Sequence, residues 1–107
     1  MRSPLAIRYN DISPLENYHA ASAFALLHEE GSSLLNGFTD SDFTTFRSLF
    51  ISLILCTDNA QHFSNIALLQ GMVDAGDNDF KEGKLVLLKN LFHAADISNQ
   101  CRSFSLA

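Results

Sequence analysis

Apolar residues recur along this chain at intervals of three and four, the spacing of one helical face. The first such segment is "SPLENYHAASAFALLHEEG", residues 13–31. Ser13 is placed to cap it, Pro14 suits the first helical position and Glu16 completes an S-x-x-E capping box. Gly31 is positioned as its stop. After the link "GSSLLNG" a second start signal is "FTDSDF", where Thr39 or Ser41 can cap and Asp40 and Asp42 face the positive end of the dipole. Phe43, Phe46, Leu49, Phe50, Leu53 and Ile54, then Phe63, Ile66, Leu69 and Met72, carry the helical spacing to Val73. That span is long for one globular helix, so a break is expected near residues 57–60. "DAGDND" reads as a loop. A further helix is expected from about Phe80 to Asp96 despite Gly83, with Leu85, Leu88, Leu91 and Phe92 to one side. Leu53, Ile54 and Leu55 in succession suggest a helix buried on most sides, which calls for more helical partners than this chain supplies. No strand-like alternation and no fixed-period repeat interrupts the pattern. The class is all-α.

Length and composition narrow this picture. At 107 residues the chain is one domain at most, or a piece of one. An apolar fraction of 47% with 18% charged residues fits a globular chain rather than a disordered one. The net charge of −5, with seven scattered Lys and Arg, argues against nucleic acid or an anionic membrane as a partner. The start "MRSPLAIRYND" lacks the apolar run of a signal peptide, and no apolar stretch approaches the roughly 20 residues needed to span a bilayer. Cys56 and Cys101 suggest neither a disulfide framework nor a CxxC site. A cytoplasmic chain is the expectation.

Polar groups inside apolar helical runs are the informative ones, because burying one without a partner costs about 1–3 kcal/mol. Glu16 can be read as part of the capping box or as a functional carboxylate, and His19, three residues on along the same face, as a packed histidine or a functional one. In "LCTDNAQHF", Asp58 and His62 stand at i, i+4, close enough for a local ion pair. His93 and Asp96 share a helical face at i, i+3, a pairing that suits a divalent metal but falls short of the about four ligands zinc usually takes. Asp96 also sits where the helix should end, against the negative end of the dipole, a placement disfavoured by roughly 0.3–1 kcal/mol. There is no HExxH, no DxDxDG loop, no phosphate-binding glycine loop and no GxSxG elbow.

Taken together and in order, these clusters resemble the class I cyclic-nucleotide phosphodiesterases. "YNDISPLENYHAASAFALL" at 9–27 is similar to the family's YNDxSxLENHH segment, "TDNAQH" at 57–62 to TDMxxH, and "HAADISNQ" at 93–100 to HAADISNP. The resemblance covers residues 5–99 of the chain, leaves 100–107 as an unmatched tail, and corresponds to the middle part of a catalytic domain. It implies an all-helical, HD-type fold with metals in a deep pocket, and metal-dependent hydrolysis of cAMP or cGMP to 5'-nucleoside monophosphates in signal transduction. Asp96 matches a direct ligand of the tightly held metal, usually zinc, beside a second ion, Mg2+ or Mn2+. Glu16 matches a residue that hydrogen-bonds the catalytic histidine and metal-bound water. Thr57 matches one that holds metal-bound water, with Asp58 and His62 in its supporting network. Asn99 matches a nucleotide contact, Asn59 stands at a pocket-facing position where Met is usual, and His19 and His93 match supporting histidines. The chemistry implied is in-line attack by a hydroxide bridging two ions roughly 3.5–4 Å apart, with a histidine protonating the leaving oxygen.

The family's HNxxH and HDxxHPG segments, which supply the general-acid histidine and three of the four protein ligands of the tight metal, do not occur in this sequence. Neither does the glutamine that grips the purine. The chain alone is therefore expected to be inactive and to self-associate through its apolar faces. The alternative is a non-catalytic helical module that binds a partner protein.

Overall fold

The computed structural model describes residues 3–76 and 83–103, all of whose regular elements are helical. The chain divides into two compact units, Met1–Leu55 and Cys56–Ala107.

The first unit holds α1 (Pro4–Arg8), α2 (Pro14–Leu27) and α3 (Asp40–Leu55). α1 is too short to show a period in the sequence. It exists because Ser3 Oγ accepts from the Ala6 amide at 3.2 Å and Pro4 opens the first turn. The side chain of Ala6 is fully buried. The core is aromatic: Phe24 of α2 lies edge-on to Phe43, Phe46 and Phe50 of α3, at centroid distances of 6.1, 6.1 and 5.2 Å. The Arg47 guanidinium stands 4.5 Å from the same ring.

The expected cap at Ser13 is corrected, and the one at Thr39 is present. Ser13 precedes α2 in the left-handed conformation, φ 39° and ψ 57°, and its side chain makes no capping bond. The S-x-x-E box with Glu16 therefore does not form, because that box needs an extended N-cap backbone. The reciprocal box forms at α3 instead. Thr39 Oγ1 accepts from the Asp42 amide at 3.1 Å, while Asp42 Oδ2 accepts from the Thr39 amide at 3.0 Å and its hydroxyl at 2.7 Å. These bonds, the hydroxyl's first, hold the Asp42 carboxyl below its ordinary 3.8. A depressed carboxyl stabilises the fold fully above its unfolded value and progressively less as pH falls through the folded one. Asp42→Asn is thus expected to melt below the parent at neutral pH and to converge with it well below pH 3.8. Identical melts at neutral pH would show that the box contributes nothing.

α2 stops at Leu27 rather than running to Gly31. His28 Nδ1 donates to the Phe24 carbonyl at 2.7 Å, and Gly31 follows at φ 92°. The sequence reads α3 as a helix suited to burial by more partners than this chain supplies, and none of its residues is fully buried here. The Phe43–Phe46–Phe50 stripe meets α2, and Leu53, Ile54 and Leu55 remain partly exposed.

In the second unit the expected break is present. Asp58 is extended (φ −64°, ψ 115°), and its Oδ1 accepts from the Ala60 amide at 2.9 Å. A 3-10 turn, Asn59–Gln61, then leads into α4 (His62–Asp74). α4 packs on α5 (Lys84–Ile97), which runs into a second 3-10 turn, Ser98–Cys101. Gly83 stands at the N-cap of α5 rather than inside it. The part of the expected helix at residues 80–82, and of the loop at 77–79, lies outside the described residues.

Candidate functional site

The sequence's candidate residues fall in both units. Glu16, half-buried, and His19, exposed, lie in the first turns of α2. The α2 entrance is unusual: Asn10, Asp11 and Ser13 all have positive φ, 53°, 61° and 39°. Left-handed backbone at non-glycine residues costs on the order of 1 kcal/mol or more apiece, and persists only where its surroundings hold it.

The other candidates lie in the second unit. Thr57 and Asp58 occupy the turn before the 3-10 segment, and both are half-buried. Asn59, Asp96 and Asn99 are exposed, Asp96 in the last turn of α5 and Asn99 in the 3-10 turn after it. His93 is the buried member, 3% exposed. Its Nε2 lies 2.8 Å from His62 Nδ1, so one proton is shared between two imidazoles 31 positions apart. The rings meet at a centroid distance of 5.0 Å. This bond brings the TDNAQH and HAADISN segments together through their histidines.

Two asparagines missed in the sequence complete the seam. Asn90 Nδ2 donates to the Val86 carbonyl at 2.9 Å and across to the Asn65 carbonyl at 3.3 Å. The Asn65 side chain is buried, and its Nδ2, like His93 Nδ1, meets no hydrogen-bond partner among the described residues. The signal was available: Asn65 follows His62 by three and Asn90 precedes His93 by three, the spacing of one helical face. Beside the seam opens a mainly apolar groove of about 370 Å³, lined among others by Ile66, Leu69, Leu91 and Ile97.

Cys56 is buried and donates to the Lys89 carbonyl at 3.5 Å. Burial pushes its thiol up, Lys89 opposes this and Asp96 adds to it. It therefore stays a thiol, unsuited to act as a nucleophile or thiolate ligand. Among the described residues neither Cys56 nor Cys101 forms a disulfide.

Among the described residues no three of His, Cys, Asp or Glu gather where they could hold a metal ion. Asp96 offers one exposed carboxylate. The described residues do not by themselves make the metal centre that the resemblance implies. Among the same residues, no helix is long and apolar enough to cross a membrane.

The chain is 40% identical over 105 residues to the dual 3',5'-cyclic-AMP and -GMP phosphodiesterase beta of Plasmodium falciparum, covering 95% of this chain and 9% of that protein. It is 37% identical over 106 residues to the human high affinity cGMP-specific 3',5'-cyclic phosphodiesterase 9A, covering 99% of this chain and 18% of that one. The solved phosphodiesterase domain of a rhodopsin phosphodiesterase from Salpingoeca rosetta matches with a TM-score of 0.86 at 33% identity, over 97% of this chain and 33% of that chain. The chain thus spans less than a fifth of these curated relatives and about a third of the solved domain. The sequence profile of the 3'5'-cyclic nucleotide phosphodiesterases matches residues 1–107, and with relatives at this level of identity the chain belongs to that family.

Proposed function

We propose that residues 1–107 are part of a catalytic domain that hydrolyses the 3',5'-phosphodiester of a cyclic nucleotide, cAMP or cGMP, to a 5'-nucleoside monophosphate. The observation that carries this reading is the 2.8 Å bond joining the TDNAQH and HAADISN segments, which brings two family motifs into one buried seam. In the completed domain Asp96 would be one of the residues holding a divalent metal, Zn2+ and Mg2+ or Mn2+ being the ions that would activate water and stabilise charge on the phosphate. Glu16, Thr57 and Asp58 orient water and proton donors, Asn59 and Asn99 face the nucleotide, and His19, His62 and His93 support them. The carboxylate at Asp96 is unfavourable for the end of α5 but suits a cation, so the placement makes sense as a ligand. The balance of charge argues against nucleic acid as substrate, and the reading places the protein in the cytoplasm. Exposed Phe63, Leu68 and Leu91 make self-association of the isolated chain part of the same reading.

One ligand cannot hold two metals, so the purified 107-residue chain is expected to show no hydrolysis of cAMP or cGMP above background with Mg2+ or Mn2+. Residues 5–99 exchanged into the matching third of the Salpingoeca rosetta domain are expected to support turnover that Asp96→Ala abolishes. Turnover by the isolated chain that Asp96→Ala removes would sink the claim of inactivity. An exchanged domain that folds without turnover would sink the catalytic reading.

A further inference from the structure

Three left-handed residues stand within four positions directly before α2, three residues ahead of Glu16. Such strain needs something to hold it, and among the described residues one side chain of α2 bonds the turn twice. Asn17 Nδ2 donates to the Ile12 carbonyl at 2.8 Å and to the Ser13 carbonyl at 3.2 Å. The Asn17 amide also reaches the Ser13 carbonyl at 2.9 Å. From the other side, the Asp11 amide donates to the Ala6 carbonyl at 2.8 Å and the Ile12 amide to the Tyr9 carbonyl at 3.1 Å. The turn is therefore tied to α1 at one end and to Asn17 at the other.

We propose that Asn17 is a positioning residue: by bonding the Ile12 and Ser13 carbonyls it fixes the left-handed entrance to α2 and so sets the direction of Glu16, its neighbour. This inference rests on the catalytic reading of Glu16 given above. The capping box that would otherwise have fixed Glu16 against Ser13 is not formed, because Ser13 is left-handed. Freed from the cap, the Glu16 carboxylate can be turned to another use. In place of the box, the amide of Asn17 bonds the helix start as a donor. An oxygen in its place would face two carbonyl oxygens and repel both.

The substitution Asn17→Asp isolates this role, since it keeps the shape and removes the donor. If Asn17 were only a residue on the first turn of a helix, a carboxylate there would be neutral or favourable, because it meets the positive end of the dipole. The donor role predicts the reverse. In the full 107-residue chain, the short intraresidue HN–Hα distance of positive φ is read by NMR at Asn10, Asp11 and Ser13. It is expected in the parent chain and lost at Ser13 in Asn17→Asp and Asn17→Ala. Retention in both variants, or a parent chain without the signature, overturns the proposal.

The second readout is kinetic, in the exchanged Salpingoeca rosetta domain. Asn17→Asp is expected to lower kcat about tenfold with KM unchanged, the pattern of an interaction made only in the transition state. Added to Glu16→Gln it is expected to lower kcat no further, because its effect passes through Glu16. Additive losses would make Asn17 a structural clamp without a catalytic consequence, and so overturn the positioning role. If the unsubstituted domain is inactive while the turn signature is intact, it is the reading of Glu16 that fails, and the positioning role falls with it.

Discussion

Phe24→Ala is expected to destabilise the unit Met1–Leu55 by about 3–5 kcal/mol, the usual range for deleting a buried phenylalanine ring. The reason lies in how few residues make its core. Ala6, Ala20 and Phe24 are its only buried apolar residues among those described. Of these, Phe24 alone is large, 5% exposed and edge-on to three rings of α3. Edge-to-face pairs add roughly 0.5–1.5 kcal/mol beyond burial, and alanine forfeits all three at once. It also leaves the Arg47 guanidinium without the face it covers at 4.5 Å. A unit this small buries too little surface to hold such a loss in reserve. Chemical denaturation followed by circular dichroism should therefore show Phe24→Ala without a folded baseline for this half of the chain. Phe24→Leu, which keeps most of the apolar volume, should lose less. A loss under about 1 kcal/mol for the alanine variant would mean that the aromatic cluster is not the core of the unit.

His93 is legible in the sequence as a residue, and its contact with His62 is not. The apolar spacing marked where α3, α4 and α5 run, and the Thr57–Ala60 break was legible because thirty-odd residues of unbroken helical period are improbable in a globular chain. The motifs at 57–62 and 93–99 were legible as residues. That His62 and His93 touch was not, because a pairing across 31 positions depends on how α4 packs on α5, and periodicity carries no information about that. Caps failed for a related reason. S-x-x-E at Ser13 and T-x-x-D at Thr39 look equally good as strings, but the backbone at Ser13 is set by the turn from α1, and only Thr39 goes on to make the box. α1 went unseen because five residues show no period. Asn17, counted only as part of a motif, gave no sign that it bonds backward to the turn.

His93→Ala and His93→Leu are expected to part company. The ring is 3% exposed, with one nitrogen bonded to His62 and the other, Nδ1, without a partner among the described residues. Whichever tautomer holds, one buried nitrogen goes unsatisfied, an arrangement that costs about 1–3 kcal/mol. Alanine opens a cavity and should destabilise the unit Cys56–Ala107 by about 2–4 kcal/mol. Leucine fills most of the space, removes the unsatisfied nitrogen and leaves His62, which is only half-buried, free to turn toward solvent. Its chain should be at least as stable as the parent. Denaturation of the two variants side by side decides the matter: equal losses would make the histidine a structural part of the α4–α5 seam. If leucine is the better residue for stability, the histidine is there for something else, and the same substitution in the exchanged catalytic domain should lower kcat while raising the melting temperature. Stability given up at a position one helical turn from the carboxylate of Asp96 is what a site held for chemistry looks like.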